Sequence, residues 1–363
     1  MKFLKLLFFV PVLLAFSCKE TPAYLNTKLS FDERADNLVS LLTLEEKVNL
    51  MRYDSPAIDR LGIPAHNWWN ECLHGVGRSG LATVFPQAIG MAAMWDSQQM
   101  FDIATVISDE ARAKHHSYAS QGKRGIYQGL TFWTPNINIF RDPRWGRGME
   151  TYGEDPYLTA EIAIPFIKGL QGDDPKYLKL VATAKHFAVH SGPESTRHSF
   201  DVYPSDYDLA ETYLPHFKRT VQEAGVYSVM CAYNRLRGEP CCGDKYLEDL
   251  LRNKWGFEGY IVSDCGAISD FYRENAHHVV NTPAEASAKA VQAGTDLNCG
   301  DTYAKGLIEA VKKNLITEAE LDVSVKRLLL ARLKLGMFDP DDEVKYAQIS
   351  IDVVDSESHR LLA

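Results

Sequence analysis

No excess of positive charge, no glycine-rich dinucleotide loop and no cysteine pair at zinc-site spacing occurs in this chain of 363 residues. Each absence removes a class of function. Lys and Arg total 39 against 48 Asp and Glu, for a formal net charge of -9, whereas nucleic acid selects basic surfaces. No polybasic segment is available for anionic lipid. No G-x-G-x-x-G follows an early strand pattern, so no dinucleotide is implied, and no other cofactor is expected. The seven cysteines contain no C-x-x-C pair, which argues against a structural metal. Repeats and low-complexity tracts are also missing. After the N-terminus, no apolar stretch is long enough to cross a bilayer.

What is present begins with a targeting signal. Lys2 and Lys5 precede an apolar run from Leu6 to Phe16, which is too short to span a membrane. Ser17-Cys18 follows, and then polar Lys19-Glu20-Thr21. The cysteine resembles the lipobox residue of bacterial lipoproteins, which is diacylated and becomes the mature N-terminus. Phe16 is larger than the residue usual near that cleavage site, so cleavage without lipidation stays open. Residues 1–18 are therefore expected to be a signal peptide with a lipidated Cys18. The protein is expected in the periplasm or outer membrane of a bacterium, touching the membrane only through that anchor. Such a compartment permits disulfides among the other six cysteines.

Residues 19–30 read as a tether. From Phe31 the chain alternates helical and strand patterns. Helices are expected over Asp32–Met51, Gln98–Ser117, Tyr207–Ala224, Tyr246–Lys254, Ala284–Ala293 and Thr317–Leu335. Strand patterns run over Thr131–Phe140, Leu180–Val189, Val226–Tyr233, the segment entering Asp264, and Thr295–Leu297. Alternation of this kind predicts a parallel α/β fold. Polar groups after several different strands make a TIM-type barrel the economical choice, because that fold gathers its chemistry at the strand ends.

Asp264 is the most informative residue. Tyr260, Ile261 and Val262 form a strand that runs into it, and Gly266 ends the pattern. A carboxylate there serves either chemistry at the barrel rim or the capping of a helix. Four other segments repeat the theme. In Asn67-Trp68-Trp69-Asn70-Glu71 a carboxylate stands beside indoles that suit a sugar ring, or the indoles are core and Glu71 is surface. Arg141-Asp142-Pro143-Arg144-Trp145-Gly146-Arg147 through Glu150 offers arginine forks, or internal salt bridges. Lys185-His186 lies inside an apolar strand, where basic groups need partners. Met230-Cys231-Ala232-Tyr233-Asn234 ends another strand with a phenol in reach of a carboxylate such as Asp264, or packed in the core. Gly192 to His198 reads as a polar loop over the same end, with His190 and His198 either facing the site or on the surface.

Together these pieces resemble glycoside hydrolase family 3. The likeness covers about residues 30–340 and rests on Arg141-Asp-Pro-Arg-Trp-Gly-Arg147, Glu154-Asp-Pro-Tyr157, Lys185-His186-Phe187, Met230-Cys-Ala-Tyr-Asn234 and Val262-Ser-Asp264. It implies a (β/α)8 barrel over residues 31–340. It also implies an oligosaccharide substrate, Asp264 as nucleophile, and a glycone held by Arg147, Lys185 and His186 within a site that includes Met230. Tyr233 would stand against the nucleophile. Glu71 takes the place of an Asp that grips outer hydroxyls in the β-glucosidases of the family, and Trp68-Trp69-x-Glu71-x-Leu-His-Gly75 is closer to its β-xylosidases. β-Glucosidases commonly carry Trp after the nucleophile, where this chain has Cys265. A Cys265–Cys299 disulfide beside the sugar would crowd the space a hexose CH2OH needs and favour a pentose, unless both are unpaired buried thiols.

Retaining hydrolysis uses two carboxyl groups about 5–5.5 Å apart. Asp264 fits the nucleophile, with Lys185, Arg147 and Tyr233 expected to keep its pKa low. The family usually takes its acid/base from a following α/β sandwich domain. Residues 341–363 resemble a linker and the start of that domain, so the general acid is expected to be missing from these residues, with Glu194 a conceivable local substitute. The expected activity is exo-acting removal of β-D-xylosyl units from xylo-oligosaccharides. The alternatives are a β-glucosidase or α-L-arabinofuranosidase of the same family, or an inactive sugar-binding lipoprotein.

Overall fold

The computed structural model describes residues 22–189 and 194–363. The signal peptide, Cys18, His190, Gly192 and Pro193 lie outside the described residues. Five parallel strands form one continuous sheet, in spatial order Thr295–Leu297, Tyr260–Ser263, Ser228–Cys231, Val181–Phe187 and Thr131–Phe132. The sheet curls into a TIM-type α/β barrel. The segments around 51–55 and 66–70 close it. Tyr53 N–H donates to Asn298 O at 3.1 Å, Asp54–Ser55 pairs antiparallel with His66–Asn67, and Trp133 N–H donates to Asn70 O at 2.9 Å. The strands are buried on both faces, as parallel strands covered by helices must be. Their residues, together with Trp68, Trp133, Phe187 and Tyr260, build one core.

The helices begin where the sequence supplies caps. Ser30, Thr43, Thr282 and Thr317 each form a capping box with a Glu three residues on. The Thr43 box splits the helix expected over Asp32–Met51 into Phe31–Leu41 and Leu44–Leu50. Pro215 likewise starts a new helix, Pro215–Gln222, within the expected Tyr207–Ala224 span. The Thr131–Phe140 strand stops at Phe132, and the residues beyond it run to Pro135 and the Asn136–Lys185 bridge. Three helices escaped the sequence reading, the short Ala88–Ala92 and the longer Pro156–Gln171 and Thr302–Lys312.

Residues 22–30 are not a free tether. Tyr24 is buried, and its hydroxyl donates to Leu61 O at 2.6 Å. The stretch after 340 is packed as well. Val344 and Tyr346 cluster with Tyr177. Asp355 N–H and His359 Nδ1 both bond the buried Glu110 carboxylate, at 2.9 Å each. No helix among the described residues is long and apolar enough to cross a membrane.

Candidate active site

Three neighbouring strands deliver the site. Lys185 stands level in register with Met230, and Met230 with Val262. The next steps along these strands bring His186 and Asp264 to the same rim. Asp264 N–H donates to Cys231 O at 3.2 Å, which fixes its backbone beside the middle strand. Its Oδ1 accepts from Cys265 N–H at 2.8 Å. Its Oδ2 is buried without a hydrogen-bond partner and lies 3.5 Å from His186 Nε2. A buried carboxylate oxygen lacking a donor is costly, and it is also free to form a bond.

Burial pushes the Asp264 carboxyl above its ordinary value, against the opposing pull of Arg147, the Cys265 N–H, Lys185 and Tyr233. The sequence-based expectation of a low pKa is therefore corrected. The cations are in place, but withdrawal from water outweighs them.

His186 is oriented by Asn138. Its backbone N–H and its Nδ1 both meet Asn138 Oδ1 at 2.9 Å, and Asn138 Nδ2 donates to His186 O at 2.9 Å. This assigns the ring proton to Nδ1. Nε2 then accepts from Arg147 Nη1 at 3.3 Å. Arg147 grips Glu150 with two bonds of 2.9 and 2.7 Å. Burial would raise the Glu150 carboxyl, but Arg147, Lys185 and Asn136 hold it below its ordinary value. Gly148 permits this turn, because a Cβ there would collide with the Phe140 ring. Among the arginines of this segment, Arg147 lines the cleft. Arg144 pairs with Asp142 at the surface, and Arg141 lies over the Tyr213 ring.

Lys185 Nζ faces Glu71 Oε2 at 3.5 Å, and Trp69 Nε1 donates to Glu71 Oε1 at 3.0 Å. Trp69 stacks on Trp133 with ring centroids 5.2 Å apart. Trp68 instead belongs to the core and donates to Ser55 Oγ at 3.0 Å. Trp69, Glu71, Arg78, Arg147, Glu150 and Lys185 line a cleft of about 330 Å³. Carboxylates, cations and an indole together suit a polyhydroxylated ring.

The Tyr233 hydroxyl donates to Cys265 O at 2.8 Å, and burial together with Asp264 pushes the phenol up. His198 packs edge-on against its ring, and the Arg197 guanidinium lies 5.2 Å from its centroid. His198 is in turn bonded to Asp270 at 2.7 Å. Glu194 points outward, 60% exposed and paired with Arg197, so it does not supply a second carboxylate to this cluster. Met230 is 2% exposed within the core and does not line the cleft. Cys265 and Cys299 form a disulfide next to Asp264. A second disulfide, Cys231–Cys242, was not foreseen. Asn138 was also missed as a positioning group, since it stands in no pattern that marks it, whereas the Arg147–Glu150 pair is one of the internal salt bridges expected as the alternative for that segment. Among the described residues no group of three or more His, Cys, Asp or Glu is placed to hold a metal ion.

Comparison with known proteins identifies the family and the fold. The family model for the glycosyl hydrolase family 3 N-terminal domain matches residues 30–331. A xylan 1,4-beta-xylosidase of Xylanibacter ruminicola is 49% identical over 345 residues, which are 93% of this chain and 40% of that protein. A probable beta-D-xylosidase of Arabidopsis thaliana is 40% identical, covering 94% of this chain and 46% of its own length. Among solved structures, a GH3 exo-beta-xylosidase (XlnD) bound to a xylobiose aziridine probe superposes with a TM-score of 0.87 at 35% identity, over 93% of this chain and 45% of that one. A beta-glucosidase from Listeria innocua in complex with glucose gives a TM-score of 0.75 at 25% identity, over 91% of this chain and 50% of the other. The chain spans less than half the length of the curated relatives named here. With a barrel that places Lys185, His186 and Asp264 on one rim, and a family model that fits nearly all of that barrel, the chain belongs to glycosyl hydrolase family 3.

Proposed function

We propose that this barrel carries the nucleophile of a retaining, exo-acting β-xylosidase. The observation that supports this best is the buried, undonated Oδ2 of Asp264 beside His186. In the proposed reaction Asp264 Oδ2 bonds to C1 of the sugar while the C1–O bond to the leaving group breaks. The leaving oxygen takes a proton from a general acid. Water then attacks C1 and releases Asp264, giving its proton back to the same group. Lys185, Glu71, Arg147 and His186 hold the sugar hydroxyls in this reading. Glu150 is locked by Arg147 and Glu194 faces outward, so we assign the acid/base to a group outside the barrel. Xylose is favoured over glucose by the Cys265–Cys299 bridge next to the nucleophile, and the names of the relatives point the same way.

The same reading includes export, with Cys18 as a lipid anchor in a bacterial envelope. Two disulfides are consistent with an oxidising compartment. The test of the catalytic proposal is trapping with a 2-fluoro-xyloside whose leaving group needs no protonation. One xylosyl adduct on the peptide containing Asp264 is expected, and an unlabelled protein, or an adduct elsewhere, rejects it.

A further inference from the structure

We propose that a second groove on this barrel binds a β-linked xylo-oligosaccharide, away from the nucleophile. The groove has a volume of about 630 Å³ and is walled by Trp95 and Tyr157 over a floor that includes Ile89, Ala92 and Ile162. That size is within the range of ordinary ligand sites. Trp95 is 76% exposed and Tyr157 is 68% exposed, so neither ring is there to fill the core. Trp95 also has a φ of 54°, a region that suits glycine and disfavours bulky side chains. Packing and backbone preference would both remove a tryptophan from this position. An outward indole with an apolar flank is what a pyranose face stacks on.

The chemistry of the edges fits the same occupant. The carboxylates of Glu154 and Asp155 border the groove and are exposed, offering acceptors to sugar hydroxyls. The cation beside them, Arg219, lies over the Tyr157 ring and is bonded to Glu161 and Glu223, so its charge is taken up by carboxylates rather than left for an anionic ligand. The groove also connects with the candidate active cleft through the chain itself. Glu150 lines the cleft, and Tyr152 and Gly153 line the groove. A neutral, hydroxyl-rich oligomer long enough to occupy a groove of this size is therefore the matching ligand. Its class rests on the glycosidase reading, but its site does not include Asp264.

The test is titration of the Asp264→Asn chain with xylohexaose, followed by calorimetry and by indole fluorescence. Binding is expected, and Trp95→Ala or Tyr157→Ala should each weaken it by about tenfold, the usual scale for truncating a central aromatic contact. Trp95→Phe should retain most of the affinity, and Lys185→Ala should leave binding at this groove intact. Unchanged affinity in Trp95→Ala with a native circular dichroism spectrum overturns the proposal. So does loss of a concentration-dependent dimer on Trp95→Ala without any change in sugar binding. If fluorosugar trapping at Asp264 fails while Trp95-dependent binding persists, the catalytic reading falls and this one stands.

Discussion

Asp264 Oδ2 and His186 Nε2 stand 3.5 Å apart, too far for a good hydrogen bond. The ring proton is on Nδ1, held by Asn138, and Nε2 is turned to Arg147. In this arrangement the Nε2 lone pair of His186 is turned to Arg147, and the ring does not donate to the carboxylate. Asn138→Ala should free the ring to turn and to donate to Asp264. We expect the rate of fluorosugar trapping to fall by about 100-fold, the scale of a small misplacement of reacting groups, with the melting temperature reporting that the fold survives. A trapping rate equal to that of the wild type would show that the ring needs no such restraint.

A pH dependence follows from the burial of Asp264, whose carboxyl is pushed up despite Arg147 and Lys185. An acid with a raised folded value binds its proton more tightly when folded. The stability this gives is present at low pH and lost as the pH rises from the ordinary carboxylate range, near 4, through the folded value. The acid limb of the trapping rate should lie above that ordinary range, because only the ionised form attacks. Asp264→Asn should raise the melting temperature at neutral pH by about 2–4 °C for each kcal/mol of relieved cost, which differential scanning calorimetry reads directly. A lower melting temperature would mean that the cations, not burial, dominate the site.

Much of this site was legible because burial makes polar residues in apolar runs conspicuous. Asp264 after Tyr260-Ile-Val262 and Lys185-His186 inside Val181–Phe187 stand out as charges where a strand should be apolar, and the parallel register brings them together. The split at Thr43 was also legible, since Thr43-x-x-Glu46 is a capping box, but helical periodicity across it was read as unbroken. Asn138 was not legible, because one amide among many carries no local signal of whom it bonds, whereas the Glu150 ion pair was among the internal salt bridges the charged Arg141–Glu150 segment offered. The Cys231–Cys242 pairing was closed to sequence reasoning for a related reason. Connectivity depends on which strands and turns meet, not on spacing.

The Cys265–Cys299 bridge makes a separable prediction. It closes a loop with a sequence separation of 34 next to the nucleophile. Removing it as the Cys265→Ala/Cys299→Ala pair should cost about 4 kcal/mol of stability by loop-closure entropy, measured by urea denaturation. The pair should also admit a hexose CH2OH more readily. The trapping rate of a 2-fluoro-glucoside relative to the xyloside should therefore rise. An unchanged ratio would mean that pentose preference comes from elsewhere in the cleft.

The last prediction concerns Glu110, which ties the C-terminal stretch to the barrel. Its carboxylate accepts from Thr83 N–H at 2.9 Å, Thr83 Oγ1 at 2.6 Å, Asp355 N–H at 2.9 Å and His359 Nδ1 at 2.9 Å. Burial works to raise its pKa, but these bonds outweigh it and hold the carboxyl below its ordinary value. For an acid lowered in this way the stabilisation is present at neutral pH. It is lost as the pH falls from the ordinary carboxylate range through the folded value. Below pH 4, amide hydrogens across residues 350–363 should exchange far faster relative to their intrinsic rates than they do at neutral pH. Glu110→Ala should produce the same loosening at pH 7 and cost about 1–3 kcal/mol, because it leaves the Thr83 N–H without its partner. Hydrogen exchange followed by mass spectrometry checks both. Peptides from 350–363 that stay protected in Glu110→Ala would show that apolar packing of Val344 and Tyr346, rather than this carboxylate, holds the stretch in place.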